Sequence, residues 1–125
     1  MTAPTVASRA DAASHLSPVA LSMLRALLLC ELVTQLAQAD EHQQILAQLA
    51  EEPDADLLER ELAEVSASRT IEAIACIRQA LDRLDSGTYG RCQRCFAAIP
   101  LERLEVIPHA LLCVACSGRA RGLLR

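Results

Sequence analysis

The sequence predicts a mainly α-helical protein in which a long antiparallel coiled-coil hairpin is joined to a small cysteine-rich module with a C-terminal helix. The first supporting observation is composition, because 52% of the 125 residues are hydrophobic and only 2% are aromatic. The apolar residues are mostly Ala and Leu, which are strong helix formers. The second is a stretch without Gly or Pro that begins after Pro18 and continues to Glu52. The third is a set of two closely spaced cysteine pairs near the C-terminus.

The first predicted helix begins at Pro18, which suits the first helical turn, with Ser17 as its cap. Apolar residues then recur every three or four positions, as in a coiled-coil seam; they include Leu29, Leu32, Leu36 and Ala39. Residues 19–36 are apolar on more than one face, so we expect this end to pack against either the C-terminal module or a second subunit. The oligomeric state stays open.

The second predicted helix follows a break at Pro53, with Asp54 as its cap, and runs to about Asp85 before Gly87 ends it. Two helices joined by a tight turn fold back on each other, each about 50 Å long. A hairpin centred on Pro53 would place Cys30 opposite Cys76. These two thiols are either small core residues or a redox pair.

Charge divides the chain into two unlike parts. Residues 1–89 contain six Arg and fourteen acidic residues, whereas residues 90–125 contain six Arg and two Glu. The acidic part cannot be the main contact to phosphates, and the scarcity of aromatic residues removes the usual stacking platforms for single-stranded nucleic acid. A nucleic-acid contact would therefore have to use Arg91, Arg94, Arg103 and the tail residues Arg119, Arg121 and Arg125.

The cysteine spacing indicates a metal site. Cys92 and Cys95 form one Cys-x-x-Cys pair, and Cys113 and Cys116 form a second pair seventeen residues further on. Two such turns complete a tetrahedral thiolate site for zinc, which we predict to be a single structural ion without an open position. His109 precedes the second pair and is expected to be a neighbouring loop residue rather than a ligand.

Three segments follow from these patterns: a flexible segment 1–17, a hairpin 18–86 with an acidic tip near 51–56, and a zinc finger with a C-terminal helix at 87–125. No signal peptide is evident. The apolar run 19–36 contains Arg25 and Glu31, both costly at a bilayer centre, so we expect no membrane span. The expected location is the cytoplasm.

Residues 80–116, ALDRLDSGTYGRCQRCFAAIPLERLEVIPHALLCVAC, resemble the DksA/TraR family of bacterial transcription regulators. The resemblance implies a helical hairpin that enters the secondary channel of RNA polymerase and alters transcription initiation without sequence-specific DNA binding. It also assigns polymerase contacts to the tip acids and to one Arg of the second helix; in this sequence these are Glu51, Glu52, Asp54, Asp56 and Arg69.

The sequence departs from the family pattern at several positions. The position after the second cysteine, commonly Gly, is Phe96, and the first acid of the tip signature falls on Leu49. Members that respond to the nucleotide ppGpp carry basic residues where this chain has Cys76 and Ser117, which argues against ppGpp dependence. Two alternatives remain: a zinc-finger nucleic-acid binder, and a thiol or zinc redox sensor. No set of nucleophile and base is evident, so we expect no enzymatic activity.

Overall fold

The computed structural model describes residues 15–123, with side chains described through residue 118. This part of the chain contains four helices: α1 (Pro18–Glu51), α2 (Leu57–Ser86), α3 (Leu101–Val106) and α4 (Val114–Leu123). The long helices α1 and α2 pack against each other as the predicted hairpin. Within the described residues the only β-type pairing is an isolated bridge between Arg91 and Ala98. The predicted fold class is confirmed.

The helix ends follow local chemistry. Ser17 caps α1, its Oγ accepting a hydrogen bond from the Ala20 amide at 3.0 Å. The cap of α2 is Asp56, whose Oδ1 accepts from the Leu58 amide at 3.2 Å, and not Asp54 as the sequence predicts. The reason is that Pro53 and Asp54 form the turn itself, so the helix restarts only at Leu57. Gly87 ends α2 in the left-handed conformation, with φ 82°.

The hairpin register is fixed by two cross-helix contacts. Arg25 Nη2 lies 2.9 Å from Asp85 Oδ1, and Arg60 Nη2 donates to the Leu49 carbonyl at 3.0 Å. The midpoint of the first pair is residue 55, and that of the second falls between residues 54 and 55. The centre of the hairpin therefore lies up to two positions beyond Pro53, and the residue opposite a given position is shifted by three to four, because the turn is longer than that prediction assumes.

The hydrophobic core lies at the base of the hairpin, where α1 and α2 meet the cysteine-rich module. Its buried members are Leu16, Leu24, Leu28, Ile77, Ala80, Tyr89, Ile99 and Leu104. Leu16, which belongs to the segment predicted to be flexible, is packed here. His15 Nε2 donates to the Ile99 carbonyl at 2.6 Å, and Leu16 is 8% exposed. Residues 1–14 lie outside the described part.

Much of α1 remains uncovered by the other residues that the structure describes. Six large apolar side chains in the first twenty residues of the helix are exposed: Val19, Met23, Leu27, Leu29, Val33 and Leu36. By length and composition alone α1 could cross a membrane. Within an apolar stretch of 18 residues of this helix, 17% of the residues are buried in the protein. The cysteine-rich module therefore covers one side of this run, through Leu24 and Leu28, and leaves the other open.

Candidate metal centre

The first cysteine pair sits in a tight turn after α2. The Cys92 amide donates to the Ala97 carbonyl at 2.8 Å, and the Phe96 amide donates back to the Cys92 carbonyl at 2.9 Å. Phe96 closes this turn with φ 65°, in the left-handed region that favours glycine. At this position the family pattern commonly has Gly, which adopts the left-handed conformation without strain, whereas this chain has Phe96.

The second cysteine pair opens α4. Cys113 directly precedes this helix and Cys116 lies in its first turn, with the Ser117 amide donating to the Cys113 carbonyl at 2.9 Å. A hydrogen bond from the Gln93 amide to the Leu111 carbonyl, at 2.7 Å, joins the two cysteine segments. Backbone pairing therefore brings together two turns that are far apart in sequence.

The four sulfurs form one cluster. The Sγ atoms of Cys92, Cys95, Cys113 and Cys116 all lie within 4.8 Å of one another. Cys95 Sγ and Cys113 Sγ are 3.7 Å apart, close to the separation of about 3.8 Å that a tetrahedral site with Zn–S bonds of about 2.3 Å requires. The Cys95 amide approaches Cys92 Sγ at 3.5 Å, and the Cys116 amide approaches Cys113 Sγ at 3.5 Å.

The electrostatics of the cluster suit a cation. Burial would raise the pKa of Cys92, but backbone amides of Cys95, Cys113 and Arg94 outweigh burial and lower it to about 5. The Cys116 amide lowers the pKa of Cys113. Burial raises the pKa of Cys116 to about 12, and the negative charge of Cys113 contributes to the same rise. A divalent cation offsets that negative charge, so the four thiols fit the single structural zinc that the spacing predicts.

Two residues that are not metal ligands, Arg83 and Tyr89, join the finger to the hairpin. Arg83, near the end of α2, donates from Nη2 to the Thr88 carbonyl at 2.9 Å and to the Arg91 carbonyl at 2.6 Å. Tyr89 is 4% exposed, and its hydroxyl donates to the Pro108 carbonyl at 2.7 Å. Burial raises the pKa of Tyr89 to about 12. In the sequence, Tyr89 is the only Tyr and lies within the segment that resembles the DksA/TraR family.

A cavity of about 290 Å³ lies between α2 and the finger. Its lining includes Cys76, Arg103, His109 and Ser117. His109 thus borders this cavity and is not among the clustered metal-type ligands. Its Nδ1 is buried without a hydrogen-bond partner, and so is Nε of Arg103. Burial lowers the pKa of His109, while Glu31 raises it in part. The fold therefore brings Cys76 and Ser117, which are far apart in sequence, to one cavity.

The acidic tip lies at the opposite end of the hairpin from the sulfur cluster. Glu51, Glu52, Asp54 and Asp56 are exposed, although Asp56 is engaged as the α2 cap. Arg60 holds this turn in place: its Nη2 donates to the Glu52 carbonyl at 2.7 Å as well as to the end of α1. Segment 40–64 contains nine acidic residues, and Arg60 is its only Arg. Its positioning role becomes visible only in the structure.

The remaining predicted site residues lie along the hairpin. Arg69 is exposed and borders a surface groove of α2 together with Glu61, Glu64 and Glu72.

Cys30 and Cys76 are both free thiols, but Cys30 is exposed and Cys76 is half-buried beside the cavity. The shifted register removes the alignment on which their pairing was predicted, and the redox pair stays a prediction.

Comparison with known proteins agrees with this geometry. Residues 87–121 match the prokaryotic DksA/TraR C4-type zinc finger. The fold resembles transcription factor DksA2 from Pseudomonas aeruginosa, with a TM-score of 0.70 and 24% identity over 94% of this chain and 98% of that chain. A second solved structure, the RNA polymerase binding protein and transcriptional regulator Dks from Chlamydia trachomatis L2 (LGV434), gives a TM-score of 0.49 and 22% identity over 90% of this chain and 100% of that chain.

One curated relative matches over a shorter stretch. It is an uncharacterized protein of Aquifex aeolicus (strain VF5), 43% identical over 47 residues. The match covers 35% of this chain and about a third, 32%, of that protein.

The fold and the sulfur cluster together define a helical-hairpin protein with a structural zinc finger. The finger at residues 87–121 matches that of the DksA/TraR family, which confirms the resemblance over this part of the chain.

Proposed function

We propose that this protein binds RNA polymerase through the secondary channel and modulates transcription initiation, while its zinc finger has a structural role. The observation that carries the proposal is a DksA/TraR finger attached to a hairpin with an exposed acidic turn at its far end. The 34 residues of α1 give this arm a length of about 50 Å. The structural similarity to a protein described as a transcription factor supports the same function.

The proposed mechanism uses the negative charge of the tip. The carboxylates of Glu51, Glu52 and Asp54 are exposed at the end of a narrow arm, where they could approach metal-bound groups of the polymerase active site. Arg69, further along α2, is the proposed basic contact on the arm. The action is regulatory and not enzymatic, and the proposed location is the cytoplasm with the polymerase.

We further propose that the regulation does not depend on ppGpp. Cys76 and Ser117 occupy the two positions where responsive family members carry basic side chains, and both border the same cavity. A polyphosphate is held mainly by cations, and Arg103 is the one cationic side chain with a fixed charge in that lining.

The decisive experiment is in vitro transcription with polymerase from the same organism, combined with a pull-down on that polymerase. The test variant neutralises the exposed tip without changing side-chain size, through Glu51→Gln, Glu52→Gln and Asp54→Asn. We expect it to bind polymerase within a fewfold of wild type and to lose its effect on transcription. Wild-type activity should be the same with and without ppGpp.

A matched control neutralises the same number of charges away from the tip, through Asp40→Asn and Glu41→Gln on α1 and Glu59→Gln on α2, all of which are exposed and lie outside the groove that Arg69 borders. This control should regulate like wild type if the position of the charge matters and not merely its amount. Unchanged regulation by the tip variant would refute the role of the tip, and failure of the wild-type protein to bind polymerase would refute the function itself.

A further inference from the structure

The exposed side of α1 carries a second coiled-coil spacing. One row of residues on this side recurs at intervals of four, three, four, three and four; we call it the outer row, and it comprises Val19, Met23, Ala26, Cys30, Val33 and Ala37. All six are exposed, with Val19 at 79% and Val33 at 69%. Apolar residues at strict 3–4 spacing are the pattern that packs against another α-helix, and the hairpin itself leaves this row without one.

The charges near the outer row are already engaged elsewhere. Arg25 pairs with Asp85 across the hairpin, and Glu31 is half-buried and accepts a hydrogen bond from Gln35 at 3.0 Å. No residue of the outer row is charged. A helix that lies on a lipid surface usually carries several basic residues on its polar face, whereas α1 contains a single Arg. These features favour a protein helix of the same apolar character over a lipid surface.

We propose that the outer row is a self-association surface on which α1 helices of two copies pair antiparallel about a two-fold axis level with Leu28. Positions equidistant from Leu28 then face each other, so that Val19 meets Ala37 and Met23 meets Val33 of the second copy. The remaining pair is Ala26 with Cys30. The surface is self-complementary, as a closed two-fold dimer requires, because the small Ala residues face larger neighbours.

Charge selects the antiparallel arrangement. Segment 40–64 carries nine acidic residues and one Arg, so a parallel pair would place two strongly acidic tips side by side. The antiparallel pair points the two tips in opposite directions, separated by far more than a Debye length of about 8 Å. The outer row is about 27 Å long, which limits the contact to the lower end of specific interfaces, about 1,200 Å² in total. A contact of this size suits a weak dimer, and we expect it to dissociate in the micromolar range.

Sedimentation equilibrium of the full-length, zinc-loaded protein from about 1 to 100 µM tests the proposal. We expect a monomer–dimer equilibrium. Val33→Glu places a carboxylate against Met23 of the second copy and should raise the dissociation constant about tenfold or more. The matched control is Ile71→Glu, which alters an equally exposed β-branched residue of α2, 64% exposed against 69% for Val33. It should leave the equilibrium within about twofold of wild type.

A wild-type protein that stays monomeric throughout this range would overturn the proposal, as would a dimer that both variants weaken equally. Far-ultraviolet circular dichroism confirms that each variant remains helical. Co-sedimentation of the monomer with vesicles of phosphatidylcholine and phosphatidylglycerol, lost in Val33→Glu, would assign the row to lipid and also overturn it.

Orientation has its own test. In the antiparallel pair, Ala26→Cys should give disulfide cross-links between the new thiol and Cys30 of the second copy under mild oxidation, identified by mass spectrometry. Wild-type protein should not cross-link readily through Cys30 alone, because the two Cys30 residues are offset by four positions along the pair. Rapid Cys30–Cys30 cross-linking of the wild type would instead show a parallel pair and contradict the proposed arrangement.

Discussion

Replacing Phe96 with Gly should stabilise the zinc finger. Phe96 closes the first cysteine turn with φ 65°, and its side chain is 71% exposed. A residue with a Cβ is strained at this backbone angle, whereas glycine is not. Because most of the aromatic ring contacts solvent, its removal sacrifices little apolar burial. Relief of backbone strain should therefore outweigh the loss of the side chain.

The magnitude follows from two opposing terms. Placing a non-glycine residue in the left-handed region costs about 1–2 kcal/mol. In the opposite direction, glycine lowers the free energy of unfolding by about 0.5–1 kcal/mol, because it increases the conformational freedom of the unfolded chain. The net stabilisation from Phe96→Gly is thus about 0.5–1 kcal/mol, equivalent to a two- to fivefold tighter hold on zinc when metal binding and finger folding are coupled.

The assay is competition for zinc between the protein and a chromophoric chelator at fixed pH, supported by thermal unfolding at fixed free zinc. Phe96→Ala is the matched control, because it removes the ring but keeps a Cβ at the same backbone angle. We expect zinc affinity to rise for Gly, to rise less for Phe96→Asn, since Asn tolerates this region, and to stay near wild type for Ala. Equal affinities for the Gly and Ala variants would refute the argument that backbone strain resides at Phe96.

Three further results are expected. Arg60→Ala removes two hydrogen bonds to backbone carbonyls at the tip, so we expect faster amide exchange at 49–56 and a free energy of unfolding lower by about 1–3 kcal/mol. Arg60→Lys should restore only part of this stability. Unchanged amide exchange in Arg60→Ala would contradict the role of Arg60 in holding the turn. Tyr89, the only Tyr, should titrate near its raised pKa of about 12 by ultraviolet absorbance. Because burial favours the neutral Tyr89, its contribution to the free energy of unfolding is complete below the unfolded pKa of about 10 and is lost as pH rises toward 12. Titration of Tyr89 near pH 10 in the folded protein would contradict its burial. Zinc removal by chelation should lower the unfolding temperature and expose Leu16 and Ile99 to solvent, seen as increased binding of a hydrophobic dye; an unchanged unfolding temperature would show that the metal does not support the base.

The sequence predicts the helices and the metal cluster well, because the signals for both are local. Ser17 and Gly87 act through groups within a few residues, and each occupies the predicted cap. The metal prediction relies on two short motifs, and the Gln93 to Leu111 hydrogen bond joins the segments that carry them. Interactions of this range leave a clear pattern in the sequence.

The turn and the register were harder to predict, because they depend on competition between neighbouring groups. Asp54 and Asp56 are both competent caps, and the choice between them depends on how Pro53 enters the turn. That choice moves the centre of the hairpin toward residues 54 and 55, and with it every cross-helix pair. The contact of Arg60 with the end of α1 is likewise invisible in sequence, since nothing in the spacing identifies the carbonyls it reaches.

The distribution of buried residues explains how a zinc site can matter to a tip at the other end of the molecule. The buried core of eight residues draws on Leu16, on both long helices and on the finger, which supplies Tyr89, Ile99 and Leu104. Beyond this base the buried side chains of the hairpin are Thr70 and Leu49. The direction of the arm is therefore set mainly where the finger packs, whereas the tip is held by its own local contacts. Loss of zinc should misdirect the whole arm, while substitutions at the tip should change its charge and leave the base intact.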